Sequence, residues 1–255
     1  MLSKNKIKLI QSLNRKKDRD ENGLFLVEGN KMVEEAIASG YIIETLIFTN
    51  KFFDQFPHIK QISAELIETD KESIQRASLL QNPQDAMAIV RKPTSKIPEL
   101  SLQTELYLSL DFIQDPGNLG TILRIADWFG IHAVICSENT VDVFNPKVVQ
   151  ASMGAIFRVK TIYTDLSRFI EDSVKQQIPV YGTFMDGENI YTTQLSKNGI
   201  IVMGNEGNGI SEEISPMISR RITIPNFSDS VNKSESLNVA IATSICCSEF
   251  RRKTI

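Results

Sequence analysis

The sequence predicts an α/β protein of two domains, the second of which is built on a mostly parallel sheet. Two observations favour this class: strand-like apolar segments alternate with helical ones, and the pattern is interrupted near residues 92–103. Such alternation is typical of a parallel sheet covered by helices on both faces. The length of 255 residues suits two domains, since one domain takes about 100 to 200 residues.

The interruption divides the chain into a first domain (1–93), a linker (94–103) and a second domain (104–255). Pro93 and Pro98 break any helix or central strand there. Apolar periodicity predicts the elements on either side of the linker. They are helices 8–13 and 31–38 with strands 23–28 and 42–48 in the first domain, and strands 106–110, 133–135, 180–182 and 200–203 in the second.

Composition excludes several classes of protein. The chain has no apolar stretch long enough for a membrane span, and its first residues lack the apolar core of a signal peptide. The three cysteines, two of them adjacent, and two histidines predict neither a disulfide framework nor a metal site. We therefore expect a cytoplasmic protein without a metal.

The charge distribution leaves the nature of the partner open. The net charge of −3 argues against nucleic acid, whose binding domains are usually basic. The first 19 residues, however, carry seven lysines and arginines against a single acid, Asp18. This segment either contacts a phosphate backbone or is an ordinary solvated helix face.

The first of three notable segments spans residues 111–124, a strand end, a tight turn and a helix start. Residues 115–117, Asp-Pro-Gly, supply the turn, and Asn118 is expected to be the helix N-cap. Arg124 falls off the apolar face of this helix. It either holds a phosphate or a developing oxyanion, or is an ordinary surface arginine.

The second segment, residues 199–211, is a buried strand that runs into a glycine-rich loop. Gly204, Gly207 and Gly209 allow a ligand to approach the backbone closely. Their spacing is neither the dinucleotide-binding fingerprint nor the phosphate loop, which disfavours dehydrogenases and NTPases. The alternative is a structural turn in which Glu206 is an exposed acid.

The third segment begins with Ile224-Pro225 and continues, after a polar stretch, into a final helix for which Ser236 is the expected N-cap. Small and weakly apolar residues lie on both faces of this helix. We expect it to pack between its own sheet and a second copy of the chain, giving a homodimer. The alternative is a fully internal helix.

Together the three segments resemble the motifs of the SpoU or TrmH family of RNA 2′-O-ribose methyltransferases. Two stretches of the first domain, residues 23–29 and 82–88, also resemble the family's RNA-binding domain, so the resemblance covers nearly the whole chain. The matching motif residues are Asp115, Pro116, Asn118, Gly120 and Arg124 in the first motif, Gly204, Glu206, Gly207 and Gly209 in the second, and Ile224, Pro225, Ser236, Leu237 and Asn238 in the third.

The resemblance implies an α/β methyltransferase domain with a deep trefoil knot, preceded by a small α/β domain similar to a ribosomal protein. Folding physics alone would not predict the knot, since true knots are essentially absent from proteins. The implied cofactor is S-adenosylmethionine. The residues implied to bind it are Gly204, Ile224 and Leu237 through the backbone, with Asn205, Glu206 and Asn238 nearby.

The implied reaction is attack of a ribose 2′-hydroxyl on the methyl group of the cofactor. Because a guanidinium is effectively always protonated, Arg124 is expected to stabilise the developing oxyanion and a neighbouring phosphate. Asn118 would orient the ribose or the arginine, and Glu206 would position Arg124 or the cofactor. Ser236 and Asn238 would complete the pocket. In the family the arginine often serves the neighbouring subunit, which implies a homodimer.

The substrate class is structured RNA, with ribosomal RNA favoured over transfer RNA because of the additional N-terminal domain. The polar segment 225–235 looks longer than the family's usual loop and affects the expected cofactor contacts. Two alternatives remain: a catalytically silent RNA-binding paralogue, and a metabolic α/β enzyme that uses a nucleotide.

Overall fold

A computed structural model describes residues 2–93, 100–230 and 235–252. Residues 94–99 of the expected linker and 231–234 of the polar loop lie outside the described residues. The described helices are α1 (Lys4–Ser12), α2 (Lys16–Asn22), α3 (Asn30–Ala38), α4 (Asn50–Gln55), α5 (Lys71–Ala77), α6 (Pro116–Trp128), α7 (Pro146–Ser152), α8 (Leu166–Lys175) and α9 (Val239–Arg252). The strands are β1 (Leu24–Glu28), β2 (Ile43–Phe48), β3 (Glu65–Glu68), β4 (Ala86–Arg91), β5 (Leu106–Leu110), β6 (Val134–Ser137), β7 (Thr161–Thr164), β8 (Val180–Asn189), β9 (Gly199–Met203) and β10 (Arg220–Thr223).

The chain divides into two compact units, and the division departs from the one expected from sequence. The first unit comprises Met1–Lys96 together with Asp142–Arg158, and the second comprises Ile97–Val141 with Val159–Ile255. The segment 142–158, which contains α7, was expected in the second domain and instead packs with the first unit.

A buried arginine explains why this segment belongs to the first unit. Arg19 is 1% exposed, and its Nη2 lies 2.5 Å from the Asp142 carboxylate. Its Nη1 also donates to the carbonyls of Leu13 and Asn14, both at 2.9 Å. Because a buried charge must be paired and hydrogen-bonded, this arrangement fixes the start of the segment to the turn between α1 and α2.

The first unit contains a four-stranded sheet among its described residues, in the order β1-β4-β2-β3. β4 runs antiparallel to both of its neighbours, while β2 and β3 are parallel. Apolar residues of α1, α5 and the sheet form a common core, in which Ile10, Leu13 and Ile74 are fully buried. The prediction of a small α/β domain is confirmed for this unit.

The second unit contains a six-stranded sheet among its described residues, in the order β10-β8-β9-β5-β6-β7. All of its strand pairs are parallel, which confirms the predicted parallel sheet. Every residue of β5 and β9 is buried, as expected of central strands covered on both faces. Among the described helices, none combines the length and apolar character that crossing a bilayer requires.

The parallel sheet determines where the site forms. In such a sheet every strand ends at the same edge, and ligands bind beyond the carboxyl ends of the strands. β5, β9 and β10 lead directly into the three notable segments of the sequence. The topology therefore gathers these segments at one edge.

Candidate active site

The loops that follow β5 and β9 are neighbours because their strands pair directly. Leu110 lies opposite Met203 in the sheet register, and the amide of Asp111 donates to the Met203 carbonyl at 2.9 Å. Asp111 is 6% exposed, and its carboxylate accepts a hydrogen bond from the Ser211 amide at 2.7 Å. These contacts join the start of the first loop to both ends of the second.

A chain of side-chain hydrogen bonds joins all three segments. Asn238 donates through Nδ2 to Oδ1 of Asn118 at 2.9 Å. Asn118 in turn donates through Nδ2 to Oε1 of Glu206 at 2.9 Å. Three residues predicted separately from three motifs therefore form one polar cluster. Glu206 is exposed, so one face of the cluster is open to a ligand.

Helix α6 begins one turn earlier than expected, and this frees Asn118 for the cluster. We expected Asn118 to be the N-cap, but Asp115 is the cap, and its side chain accepts from the Asn118 amide at 2.8 Å. Pro116 occupies the first helical position, where its missing N–H costs nothing. Asn118 therefore lies in the first turn, with its carboxamide available to Glu206 and Asn238.

The expected cap of the final helix was also wrong. α9 begins at Val239, and Asn238 accepts at Oδ1 from the amides of Ala240 at 3.0 Å and Ile241 at 3.3 Å. Ser236 is exposed and makes no hydrogen bond to any residue that the structure describes. The helix starts where burial starts, because Val239 is the first buried residue after the loop.

Gly204 is required by the close approach of the protein's own backbone. A Cβ atom there would lie 2.2 Å from the carbonyl carbon of Gly209 and 2.3 Å from the nitrogen of Ile210. Reciprocal bonds between Asn205 and Gly209, at 2.9 and 3.0 Å, close the loop. At Gly207 the nearest atom to an added Cβ would be the Asn205 side-chain oxygen at 3.6 Å. The glycine-rich loop is thus a tight turn with an exposed tip.

The residues expected in the cofactor cradle differ in exposure. Gly204 is buried and Ile224 is partly buried, whereas the side chain of Leu237 is 50% exposed. Asn205 is partly buried, and its Nδ2 donates to the carbonyl of Phe112 at 2.8 Å. Within the described part of the chain, no three His, Cys, Asp or Glu side chains group as metal ligands.

The structure does not bring Arg124 into the polar cluster. Arg124 is exposed and makes no hydrogen bond or ion pair with a described residue. It follows Asn118 by six residues on α6, which at about 100° and 1.5 Å per residue corresponds to roughly 240° of rotation and about 9 Å along the axis. Its guanidinium is therefore presented to solvent on a different face of the helix.

Three features of the site were not identified from the sequence: the cap Asp115, the buried carboxylate of Asp111, and the backbone of Phe112. Phe112 has φ of +58°, a conformation uncommon for residues other than glycine. For Asp115 the signal was an aspartate directly before Pro116, a good cap followed by a favoured first helical residue. For Asp111 and Phe112 the only signal was their position directly after a fully buried strand.

Two known sequence families match the chain, one over each of its two parts. The SpoU rRNA Methylase family matches residues 105–248, and the MRM3-like substrate binding domain matches residues 4–88. The 23S rRNA (guanosine(2553)-2′-O)-methyltransferase RlmP of Bacillus subtilis is 27% identical over 96% of both chains.

Two solved structures are similar to this chain over nearly its whole length. A protein from Porphyromonas gingivalis, described as a TrmH-family RNA methyltransferase, is 42% identical and covers 99% of both chains with a TM-score of 0.88. The AdoMet-bound rRNA methyltransferase of Sinorhizobium meliloti is 30% identical with a TM-score of 0.86, covering all of this chain and 97% of its own. The family match spans more than half of the chain and contains all three linked motifs, so the chain belongs to the SpoU rRNA methylase family.

Proposed function

We propose that the protein transfers a methyl group from S-adenosylmethionine to a ribose 2′-hydroxyl of ribosomal RNA. The observation that carries this function is the hydrogen-bonded chain of Glu206, Asn118 and Asn238, which unites three motif loops at the carboxyl edge of a parallel sheet. The relatives named above supply the reaction class, since RlmP is a 23S rRNA 2′-O-methyltransferase.

The exposed surface around the cluster fits the cofactor. S-adenosylmethionine supplies a methyl group that is already activated, so the protein has chiefly to align the attack. Gly204, Ile224 and Leu237 would hold the cofactor through the backbone, and the half-exposed Leu237 offers an apolar wall of the kind that ligand pockets use. Glu206 and Asn238 would contact it or the ribose.

Asn118 and Glu206 prepare the site for the acceptor. Asn118 is fixed on both sides by its side-chain bonds, so its carboxamide has a defined orientation. Glu206 carries a carboxylate whose Oε1 and Oε2 also lie 3.5 Å from the amides of Asp115 and Gln114. We propose that Asn118 orients the ribose, that Glu206 positions the cofactor and that exposed Ser236 completes the pocket.

A homodimer would complete the site with Arg124. The guanidinium is exposed and has no partner among the residues that the structure describes, and α6, which carries it, contacts α9. On these helices Trp128 is 86% exposed and Ile241 is 53% exposed. Aromatic residues are enriched in the buried cores of interfaces. We propose that a second copy covers this face and that each Arg124 stabilises the oxyanion in the partner's site.

The first unit is proposed to bind the RNA. Its match to a substrate binding domain supports this role, as do the exposed basic residues near the N-terminus, Lys4, Lys8, Arg15, Lys16 and Lys17. We further propose that this unit is related to a small ribosomal protein and that the C-terminal segment forms the family's trefoil knot. The three cysteines are free and buried, which suits the reducing cytoplasm, where we place the reaction.

The test begins with binding. Protein is melted with and without S-adenosylmethionine or S-adenosylhomocysteine, with ATP and NAD as controls. Ligand at 100 times its dissociation constant adds about 2.7 kcal/mol, which for a chain of this size is a rise in melting temperature of about 5 to 10 °C. Only S-adenosylmethionine and S-adenosylhomocysteine are expected to raise the melting temperature.

The second step measures transfer of labelled methyl groups to deproteinised ribosomal RNA and to transfer RNA. Label is expected in ribosomal RNA. Label in transfer RNA alone would change the substrate class. Binding of RNA without cofactor binding or transfer would contradict the proposal and indicate a silent paralogue.

A further inference from the structure

The carboxamide of Asn205 is almost entirely committed to the protein itself. An asparagine side chain has two donor hydrogens and an oxygen with two lone pairs. Oδ1 of Asn205 accepts from the amides of Gly207 at 2.9 Å and Asn208 at 3.1 Å. Nδ2 donates to the carbonyl of Phe112 at 2.8 Å. One N–H remains, so this side chain is poorly suited to be a ligand of the cofactor.

The Asn205 side chain bonds to Phe112, a residue with an unfavourable backbone conformation. With φ of +58°, Phe112 adopts the left-handed conformation that non-glycine residues keep only when their surroundings hold them there. Its amide donates to the Ser137 hydroxyl at 2.9 Å, and its carbonyl is held by Asn205. Both sides of the strained residue are therefore fixed by side chains.

This turn determines the position of Asn118. The chain passes from Phe112 through the cap Asp115 to Asn118 in the first turn of α6. Asn205 directly precedes Glu206, the carboxylate to which Asn118 donates. Beyond the contacts of Asp111 with Met203 and Ser211, two further bonds therefore link these two loops, one between Asn205 and Phe112 and one between Glu206 and Asn118. The first is partly buried and the second is exposed.

We propose that Asn205 is a positioning residue, which through its bond to the left-handed Phe112 sets the distance between Glu206 and Asn118. Without this bond, exposed Glu206 would be held by Asn118 and by two amide contacts of 3.5 Å. The inference deepens the proposed function and rests on it for the effect on the reaction. The coupling of the two loops can be measured without any reaction.

The experiment replaces Asn205 with aspartate and compares it with Asn208→Asp. Asn205→Asp keeps the shape and the two accepting lone pairs, but it places an oxygen where Nδ2 donated to Phe112. Asn208 lies three residues further on in the same loop and is exposed, with no side-chain bond to a described residue. The control therefore adds the same charge without removing the bond.

For the reaction, Asn205→Asp is expected to lower kcat about 10²-fold, the loss typical of a misplacement of about 1 Å. KM for RNA and the Kd for S-adenosylhomocysteine are expected to stay within about twofold, because the Asn205 carboxamide is bonded to the protein's own backbone. Asn208→Asp is expected to match the wild type in all three. An unchanged kcat, equal losses in both variants, or a large rise in Kd with retained kcat would overturn the assignment.

Amide hydrogen exchange provides the readout that does not depend on activity. In Asn205→Asp, the amides of segments 112–118 and 205–210 are expected to lose protection together. In Asn208→Asp, neither segment is expected to lose protection. Loss confined to 205–210 would mean that the bond does not couple the loops. If Asn205→Asp fails to fold, Asn205→Ser serves, because its hydroxyl accepts from the loop amides but is too short to reach Phe112. A protein that lacks methyl transfer but shows coupled exchange would refute the proposed function alone.

Discussion

Replacing Gly204 with alanine tests whether the glycine-rich loop is shaped by the protein's own backbone. The added Cβ would lie 2.2 Å from the carbonyl carbon of Gly209 and 2.3 Å from the nitrogen of Ile210. Carbon atoms pack best at about 3.5 to 4.0 Å, so the overlap exceeds about 1 Å. Both obstructing atoms belong to the backbone, and the reciprocal bonds between Asn205 and Gly209 hold it in place.

The expected loss follows from that overlap. Inserting a methyl group into a packed interior costs about 1 to 3 kcal/mol, and we expect the upper end because no flexible side chain can move away. For a chain of this size, about 3 kcal/mol lowers the melting temperature by roughly 6 to 12 °C. Thermal unfolding followed by circular dichroism measures this change.

Gly207→Ala is the matched control in the same loop. Its Cβ would meet the Asn205 side-chain oxygen at 3.6 Å, an ordinary contact. A surface change of this kind stays within about 0.5 kcal/mol. If alanine at 204 and at 207 had the same effect, or if Gly204→Ala melted like the wild type, the close approach of the backbone would not be the reason for the glycine.

Three further predictions concern the reaction, the assembly and the pH dependence of stability. Arg124→Ala is expected to lower the single-turnover rate of methyl transfer by about 10²- to 10³-fold, as for other oxyanion donors. The melting temperature is expected to stay unchanged because Arg124 has no described partner. A rate near that of the wild type would contradict the proposed role of Arg124. Trp128→Gln is expected to shift sedimentation from dimer to monomer, since Trp128 is 86% exposed in one chain; a dimer of unchanged stability would place the interface elsewhere. Burial raises the pKa of Glu28 above its ordinary value, so its stabilisation is present below the unfolded-state pKa of about 4.3 and is lost as the pH rises through the folded-state pKa. Glu28→Gln, in which the amide oxygen can still accept from the Leu79 amide, is therefore expected to gain stability relative to the wild type as the pH rises from about 4.3 through the folded-state pKa of Glu28. Urea unfolding measures this, and a pH-independent difference would contradict it.

The sequence predicted the architecture of the second unit well because its central strands carry a strong signal. Residues 106–110 are apolar apart from Ser109, residues 200–203 are a continuous apolar run, and the two stretches form β5 and most of β9. The edge strands β7 and β10 were not predicted. They have four residues each and are only partly buried, so neither periodicity nor composition distinguishes them from loops.

Members of the site were easier to predict than their roles. Asn118 was expected to orient the ribose or Arg124, Asn238 was expected near the cofactor, and the structure joins the two side chains. The caps were wrong because Asp115 and Asn238 are as good cap residues as Asn118 and Ser236. Only tertiary burial decides between such neighbours.

The placement of segment 142–158 could not be read from the sequence. It depends on the pair formed by Arg19 and Asp142, which are 123 positions apart. In the sequence Arg19 is one of seven basic residues near the N-terminus, whereas in the structure it is 1% exposed. Local patterns carry no information about which charged residue finds a distant partner.

The position of the transferred methyl group on the RNA distinguishes ribose methylation from every other kind of RNA methylation. The protein is incubated with ribosomal RNA and methyl-labelled S-adenosylmethionine, and the RNA is digested to nucleosides for mass spectrometry. We expect the label on the ribose, as a 2′-O-methylnucleoside, and no transfer to an RNA with a 2′-deoxynucleotide at the mapped position. Label on a base, or transfer to the 2′-deoxy substrate, would contradict this expectation.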